Sequence, residues 1–330
     1  MSSLLWKNRR VLVTGAGGFI GSHLAERLVQ LGAHIRCFLR YTSQGSLGWL
    51  SASAFRPELE VVYGDIRDYE SVLHAVEGVD VIFHLAALIG IPYSYHSPRS
   101  YVHTNIDGTL NILEAAKRQG TERIVCTSTS EVYGSATYVP IDENHRLQGQ
   151  SPYSATKIGA DKIAESYHLS FGLPISIARP FNTYGPRQSS RAVIPTIITQ
   201  ALAQSSVKLG NLHSIRDFNF VSDTVEGLIA IAETPATIGK TLNIGSGTET
   251  SIHGLTEVIF ELIGTTCRVD VEEIRIRPEA SEVDRLCANS LLLSQLTTWR
   301  PRVPLREGLT RTIKWIGQNL GAYAIRTYAM

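Results

Sequence analysis

The chain has 330 residues, 43% of them hydrophobic and 18% charged, with a formal net charge of +1 at pH 7. That length supports one large domain or two closely joined ones, and the composition is that of an ordinary globular protein. A net charge so near zero leaves no footprint for nucleic acid or a membrane surface, and no apolar run approaches the ~20 residues of a membrane span.

The cysteines, Cys37, Cys126, Cys267 and Cys287, are scattered with no Cys-x-x-Cys pair. Neither a disulfide framework nor a metal site is suggested. The segment from Met1 to Arg10 is short and basic, with no apolar stretch ahead of a cleavage site. These features together predict a reducing, cytoplasmic setting.

The first element is an apolar strand over 10–13, running into Thr14-Gly15-Ala16-Gly17-Gly18-Phe19-Ile20-Gly21 and then a helical pattern of Ile20, Leu24, Leu28 and Leu31. Strand, glycine loop and helix in this order suit a dinucleotide phosphate. Gly15 allows the tight turn, Gly18 the approach of a pyrophosphate, and Gly21 close packing of helix on strand. The helix N-terminus supplies free N–H groups. A second strand over 34–39 ends at Arg40-Tyr41-Thr42-Ser43 with no acidic residue. A carboxylate there would bind the ribose hydroxyls of NAD, whereas Arg40 fits the 2′-phosphate of NADP, which is the favoured reading. The alternative is a solvated arginine at a strand end, with the ribose held by other groups.

Further strands are predicted over 61–64, 79–84, 123–128 and 173–179. The fourth, 79–84, is nearly continuous in apolar residues, as a strand buried on both faces should be. It opens into the small residues Leu85-Ala86-Ala87, followed by a loop over 88–100 and a long helix over 100–118. The segment from 129 to 150 reads as loop. After 180 the pattern is less regular, with a helix over 192–204 and a strand and turn over 241–247. Strands alternating with helices give an α/β fold, a doubly wound parallel sheet of the Rossmann kind with ligands at the carboxyl ends of its strands. Residues 1–180 form the dinucleotide-binding domain that carries the catalytic residues. Residues 181–330 form a smaller α/β lobe that covers the sheet edge and binds substrate, with the chain free to cross back between the two.

Tyr153 and Lys157 stand four residues apart on a predicted helix, so their side chains share a face. An ammonium beneath the phenol would favour the phenolate. A phenol so tuned can take a proton from an alcohol while hydride leaves the same carbon.

Several stretches together resemble the extended short-chain dehydrogenase/reductase family, in its nucleotide-sugar branch. They are TGAGGFIGSHL at 14–24, GDIRD at 64–68, HLAA at 84–87, STSEVYG at 128–134, YSATK at 153–157, RPFNTYGPRQ at 179–188, RDFNFVSD at 216–223 and NIGSG at 243–247. The resemblance implies that Thr129, Tyr153 and Lys157 form the catalytic triad. Thr129 would hold the sugar 4-hydroxyl, Tyr153 would be the base, and Lys157 would also bind the nicotinamide ribose. It implies a tightly bound NADP or NAD held by Gly15, Gly17, Gly18, Phe19, Ile20, Gly21, Arg40, Asp65, Ile66, Leu85, Ala86 and Ala87. On the substrate side it places Asn105, Asn182, Arg187, Arg216 and Arg277.

Fold alone does not choose the reaction. Glu131, two residues after Thr129, is similar to the glutamate of sugar-nucleotide 4,6-dehydratases. Epimerases usually carry small, non-acidic residues at that point. Ser130 stands where many glucose-type dehydratases have Asp, as in the GDP-mannose 4,6-dehydratase pattern, so Glu131 would serve as both base and acid. The stretches LQGQSPYSATKIGADK and RPFNTYGPRQSSRAVIPTIITQ are most like 4,6-dehydratases of the legionaminic-acid pathway, which implies an N-acetylglucosamine nucleotide such as UDP-GlcNAc. The alternatives are a 4-epimerase and a non-catalytic cofactor-binding protein of the same fold. The helices over 100–118 and 153–169 carry apolar residues beyond one stripe, including Leu110, Ile112, Ile158 and Ile163. The family commonly pairs these helices, which implies a homodimer through a four-helix bundle.

Overall fold

The computed structural model describes residues 5–323. Met1 to Leu4 of the basic N-terminal segment lie outside the described residues. The first half of the chain contains β1 (Arg10–Thr14), α1 (Phe19–Gln30), β2 (His34–Arg40), β3 (Leu59–Gly64), α2 (Tyr69–Val76), β4 (Val81–His84), α3 (Gly108–Gln119), β5 (Arg123–Thr127), α4 (Pro152–Phe171) and β6 (Ile175–Pro180). The second half adds β7 (Asn182–Tyr184), α5 (Val193–Ala203), β8 (Ser206–Leu209), β9 (Ile215–Phe220), α6 (Val221–Glu233), β10 (Thr241–Ile244), β11 (Glu249–Ser251), α7 (Ile252–Ile263), β12 (Arg268–Val271) and α8 (Leu305–Gln318).

The central seven-stranded sheet has the order β10-β6-β5-β4-β1-β2-β3, and its neighbouring strands all run parallel. Val81–His84 and Ile175–Pro180 are buried at every position, because helices cover both faces of the sheet. The predicted doubly wound α/β architecture is the one observed. Strand order reverses between β1 and β4, and the ends of these strands carry the glycine loop and the Leu85–Ala87 turn.

Residues past 180 return to this sheet. Strand β10 pairs with β6, Leu242 opposite Ala178, and α6 packs on α1, β5 and β6. One apolar core includes Val13, Phe83, Ile197, Leu228 and Ile259, so both halves share it. The remaining strands make a β11-β9-β7 sheet and a β12-β8 pair over the carboxyl edge.

The helix predicted over 100–118 is not uniform. Pro98–Tyr101 forms a helical turn, Val102–Asp107 is π-helical, and regular α-helix resumes at Gly108. Asn105 lies in the widened turn, and its side chain bonds the backbone of Leu88 rather than packing along the helix. Such turns recur at functional sites because they re-aim a side chain. The predicted loop over 88–100 likewise contains a helical turn, Ile91–His96.

Asp217 on β9 fastens the second lobe. Its carboxylate is wholly buried and accepts from the Ser246 amide and hydroxyl, the Gly247 amide and the Ala288 amide. It thereby fixes the turn after β10. Asp217→Asn should cost about 2–3 kcal/mol, the scale of hydrogen bonds to a buried charged group, seen in urea as a lower midpoint at unchanged slope.

Candidate active site

Steric room shapes the glycine loop. Gly15 has φ +71°, and a Cβ there would lie 3.0 Å from the Ala86 nitrogen. A Cβ on Gly21 would come within 2.3 Å of the Gly15 carbonyl. The loop, the start of α1 and the turn after β4 are thus in backbone contact. No side chain caps α1 at Gly18, so N–H groups of Phe19, Ile20 and Gly21 remain for an anionic ligand. These features fit a dinucleotide pyrophosphate. The sequence did not reveal that the segment after β2 folds back on this loop, where the Trp49 amide donates to the Gly17 carbonyl at 3.0 Å.

At the adenosine end, Arg40 is exposed and stands beside Gly64 in the strand register. The Asp65 carboxylate accepts from Arg67 Nε at 2.9 Å and Nη2 at 2.5 Å. Those hydrogen bonds hold it below the usual carboxylate range, with Arg40 adding a weaker pull. The Ile66 carbonyl accepts from Asn111 at 3.0 Å.

Tyr153 sits in the first turn of α4. Ser151 and Ser154 form a reciprocal capping box, with Pro152 at the first helical position, so the entry of this helix is fixed by local sequence. Tyr153 and Lys157 are both buried. Lys157 Nζ donates to the Thr127 carbonyl at the end of β5, 2.8 Å away. Burial lowers the pKa of Lys157, and Asp161 opposes this. The expectation that Lys157 would pull the Tyr153 phenol toward neutrality is corrected here. Burial raises the phenol above its ordinary value, the Thr129 hydroxyl works against this, and Glu131 and Tyr101 raise it further. Desolvation disfavours the phenolate more than the Thr129 hydroxyl favours it.

Thr129 caps the turn Ser130–Tyr133 by accepting from the Glu131 amide at 3.2 Å. Ser130 is buried. The Glu131 side chain, 13% exposed, lies 3.8 Å from Arg277 Nη1. Arg216 is buried and feels Glu131, Arg277 and Glu282; its guanidinium reaches Glu282 at 3.4 Å. The Asn182 Oδ1 is buried without a partner, an acceptor open to a ligand donor. The fold therefore brings Thr129, Glu131, Tyr153, Lys157, Arg216 and Arg277 to one region. Arg187 takes φ +70° and pairs with Glu26 on α1 at 3.0 Å. That pair ties the second lobe to the cofactor helix.

Sequence reasoning missed Asp161. Its Oδ2 accepts from Ser128 at 2.9 Å and from Arg179 Nε and Nη2 at 3.1 and 2.9 Å. The available signal was its place one turn beyond Lys157 on the same face of α4. It also missed Tyr101, whose ring packs edge-on against Tyr153 at 6.3 Å.

The family model of GDP-mannose 4,6 dehydratase matches residues 12–312. The chain belongs to this family. Among curated relatives, an uncharacterized UDP-glucose epimerase, YtcB, of Bacillus subtilis is 34% identical over 93% of this chain and 98% of its own length. A dTDP-glucose 4,6-dehydratase of Actinoplanes sp. is 32% identical over 94% and 98%. The crystal structure of DesIV, a dTDP-glucose 4,6-dehydratase from Streptomyces venezuelae with NAD and TYD bound, superposes with a TM-score of 0.87 at 30% identity, covering 95% of this chain and 98% of that one. The chain is an enzyme of the nucleotide-sugar branch, and the NAD held by this structural relative supports NAD(P) binding.

Tyr153→Phe should leave dinucleotide affinity unchanged while turnover falls about 10²–10⁴-fold, the range of a lost acid–base group. Lys157→Ala should lower both. Calorimetry with NAD and steady-state rates together check this pair.

Proposed function

We propose that the enzyme is a nucleotide-sugar 4,6-dehydratase acting on an NDP-N-acetylglucosamine-type hexose and yielding the 4-keto-6-deoxy sugar. The observation that carries this reading is the half-buried Glu131 carboxylate beside Thr129 and Tyr153. An oxidation and its reversal at C4 need only the phenol, so a carboxylate in addition to it points to a second proton removal. The 4,6-dehydratases among its relatives support the same reading. The likeness of 147–162 and 179–200 to legionaminic-pathway enzymes supports the N-acetylglucosamine substrate.

Tyr153 accepts the 4-hydroxyl proton, with Thr129 orienting that oxygen, as the C4 hydrogen departs with its electron pair. The chemistry a bound nicotinamide supplies is storage of that hydrogen until it is returned to C6. The C4 ketone acidifies the C5 hydrogen, which Glu131 removes as a proton. The C6 hydroxyl leaves and takes a proton to form water, and Glu131 is positioned to give it, since Ser130 is a poor acid. C5 regains a proton from solvent as Tyr153 gives up to solvent the one it took from the 4-hydroxyl, so the side chains are reset and the net change is the loss of one water. Asn182, Arg216 and Arg277 bind the nucleotide diphosphate and sugar. Arg187 supports this side through its pair with Glu26, and Asn105 orders the path beside Tyr153.

The second reading is a 4-epimerase, favoured by the name of the YtcB relative. Incubation with a panel of nucleotide sugars separates the two by mass: a dehydratase product is lighter by one water, an epimerase product is isobaric. Glu131→Gln should still permit C4 oxidation, so near-ultraviolet absorbance of reduced nicotinamide should accumulate without dehydrated product. A variant that turns over at the wild-type rate removes Glu131 from the mechanism.

The cofactor preference proposed here is NADP, on Arg40 and the lack of an acid at the end of β2. Arg40→Ala should weaken NADP about 10- to 100-fold, the scale of charge-assisted bonds, and leave NAD unchanged. Equal affinities in the wild type would assign NAD. A cytoplasmic homodimer through α3 and α4 is proposed on the exposure of Leu169 and Phe171 near the end of α4; Ile112 is instead buried in the protomer's own core. Among the described residues no helix is long and apolar enough to cross a membrane.

A further inference from the structure

His84, the last residue of β4, is buried and takes no part in the chemistry above. Its Nδ1 lies 2.9 Å from Thr14 Oγ1 and its Nε2 lies 3.1 Å from Thr109 Oγ1. The surrounding hydrogen bonds fix where every proton sits. A hydroxyl has one proton to donate and two lone pairs. Thr109 donates its proton to the Asn105 carbonyl at 2.7 Å, so it must accept from His84 Nε2–H. Thr14 Oγ1 accepts from the Leu85 and Ala86 amides, each at 3.1 Å, so its own proton must go to His84 Nδ1. An imidazolium would aim a third donor at Thr14 and leave the threonine proton without an acceptor. Burial, with Lys157 adding to it, pushes the ring's pKa down to about 3, in agreement with this arrangement.

The chain continues in both directions. Leu85 and Ala86, held by Thr14, are the backbone that meets Gly15. On the other side, the Asn105 side chain accepts from the Leu88 amide at 2.8 Å and donates to Thr156 at 3.0 Å. Thr156 in turn donates to the carbonyl of Tyr153 at 2.7 Å. The groups lie along one path from the glycine loop to the first turn of α4.

We infer that His84 is a positioning residue that acts as a neutral imidazole protonated on Nε2, locking the turn after β4 against the dinucleotide loop and joining it to the helix of Tyr153. A polar group able to donate on one side and accept on the other is required at the end of β4. The inference rests on the glycine loop as dinucleotide site and on Tyr153 as the acid–base group, and not on which sugar reaction follows.

The test uses the whole enzyme with NAD as probe. His84→Phe keeps a ring but removes both nitrogens, and Thr14→Val removes the hydroxyl. Each should weaken NAD about tenfold, the effect of a buried donor left without its acceptor: the Thr14 hydroxyl in the first variant, the Leu85 and Ala86 amides in the second. The double variant should be no weaker than either single one, because both break the same link. His84→Asn, whose carbonyl can take the place of Nδ1, should recover part of the loss. Unchanged affinity in His84→Phe, or additive losses in the double variant, would overturn the inference. Nitrogen-15 NMR of wild-type enzyme labelled at histidine gives a second reading, independent of whether the variants fold. It should show Nε2 protonated and Nδ1 bare from about pH 5 to 8, well above the titration of a buried neutral ring. A δ-protonated ring or an imidazolium in that window would contradict it. NAD binding and ring tautomer need no sugar, so a product that proves to be an epimer would remove the dehydratase reading and leave this one standing.

Discussion

The buried carboxylate of Asp161 is the interaction on which the site depends. Its Oδ2 receives Ser128 from the end of β5 and the guanidinium of Arg179 from β6, while its own helix carries Lys157 and Tyr153. Three elements, β5, β6 and α4, are thus fastened to one oxygen. Arg179 extends the connection to the Tyr133 hydroxyl at 3.0 Å, and Tyr133 donates to Asn243 on β10 at 2.7 Å. The second half of the chain is therefore bound to the same point. Breaking a buried pair of this kind leaves an uncompensated charge and costs about 3–5 kcal/mol. A register error between α4 and the sheet would displace the phenol, the ammonium and the Thr129 turn together.

Much of this was legible in the sequence because it is local. The continuous apolar runs of β4 to β6, the strand-loop-helix order around Gly15 and the four-residue spacing of Tyr153 and Lys157 are set by period and neighbourhood. The capping serines around Pro152 were equally readable. The Val102–Asp107 π-turn was not, since the bonds between Asn105 and Leu88 that accompany it join residues far apart in sequence. Nor was the fate of Arg187, whose partner Glu26 is distant in sequence and adjacent only once the lobes have packed.

The protonation state of Tyr153 shows the same division. Spacing places Lys157 on the correct face, but the sign of the phenol's shift is decided by how much water the fold removes, and desolvation is a tertiary quantity. Glu131, Arg216, Arg277 and Glu282 obey the same rule. Their charges are readable in the sequence, while their mutual pairing appears only when the segment after β12 folds over the turn after β5.

The most direct measurement of the reaction follows one hydrogen. A nucleotide sugar carrying deuterium at C4 is converted by the wild-type enzyme, and the product is read by NMR and mass spectrometry. Dehydration by the route described puts the label on C6 of a 4-keto-6-deoxy sugar that has lost one water. A product that keeps its C6 hydroxyl and carries the deuterium at C4 would contradict it, leaving Glu131 as a structural carboxylate and the enzyme as an epimerase.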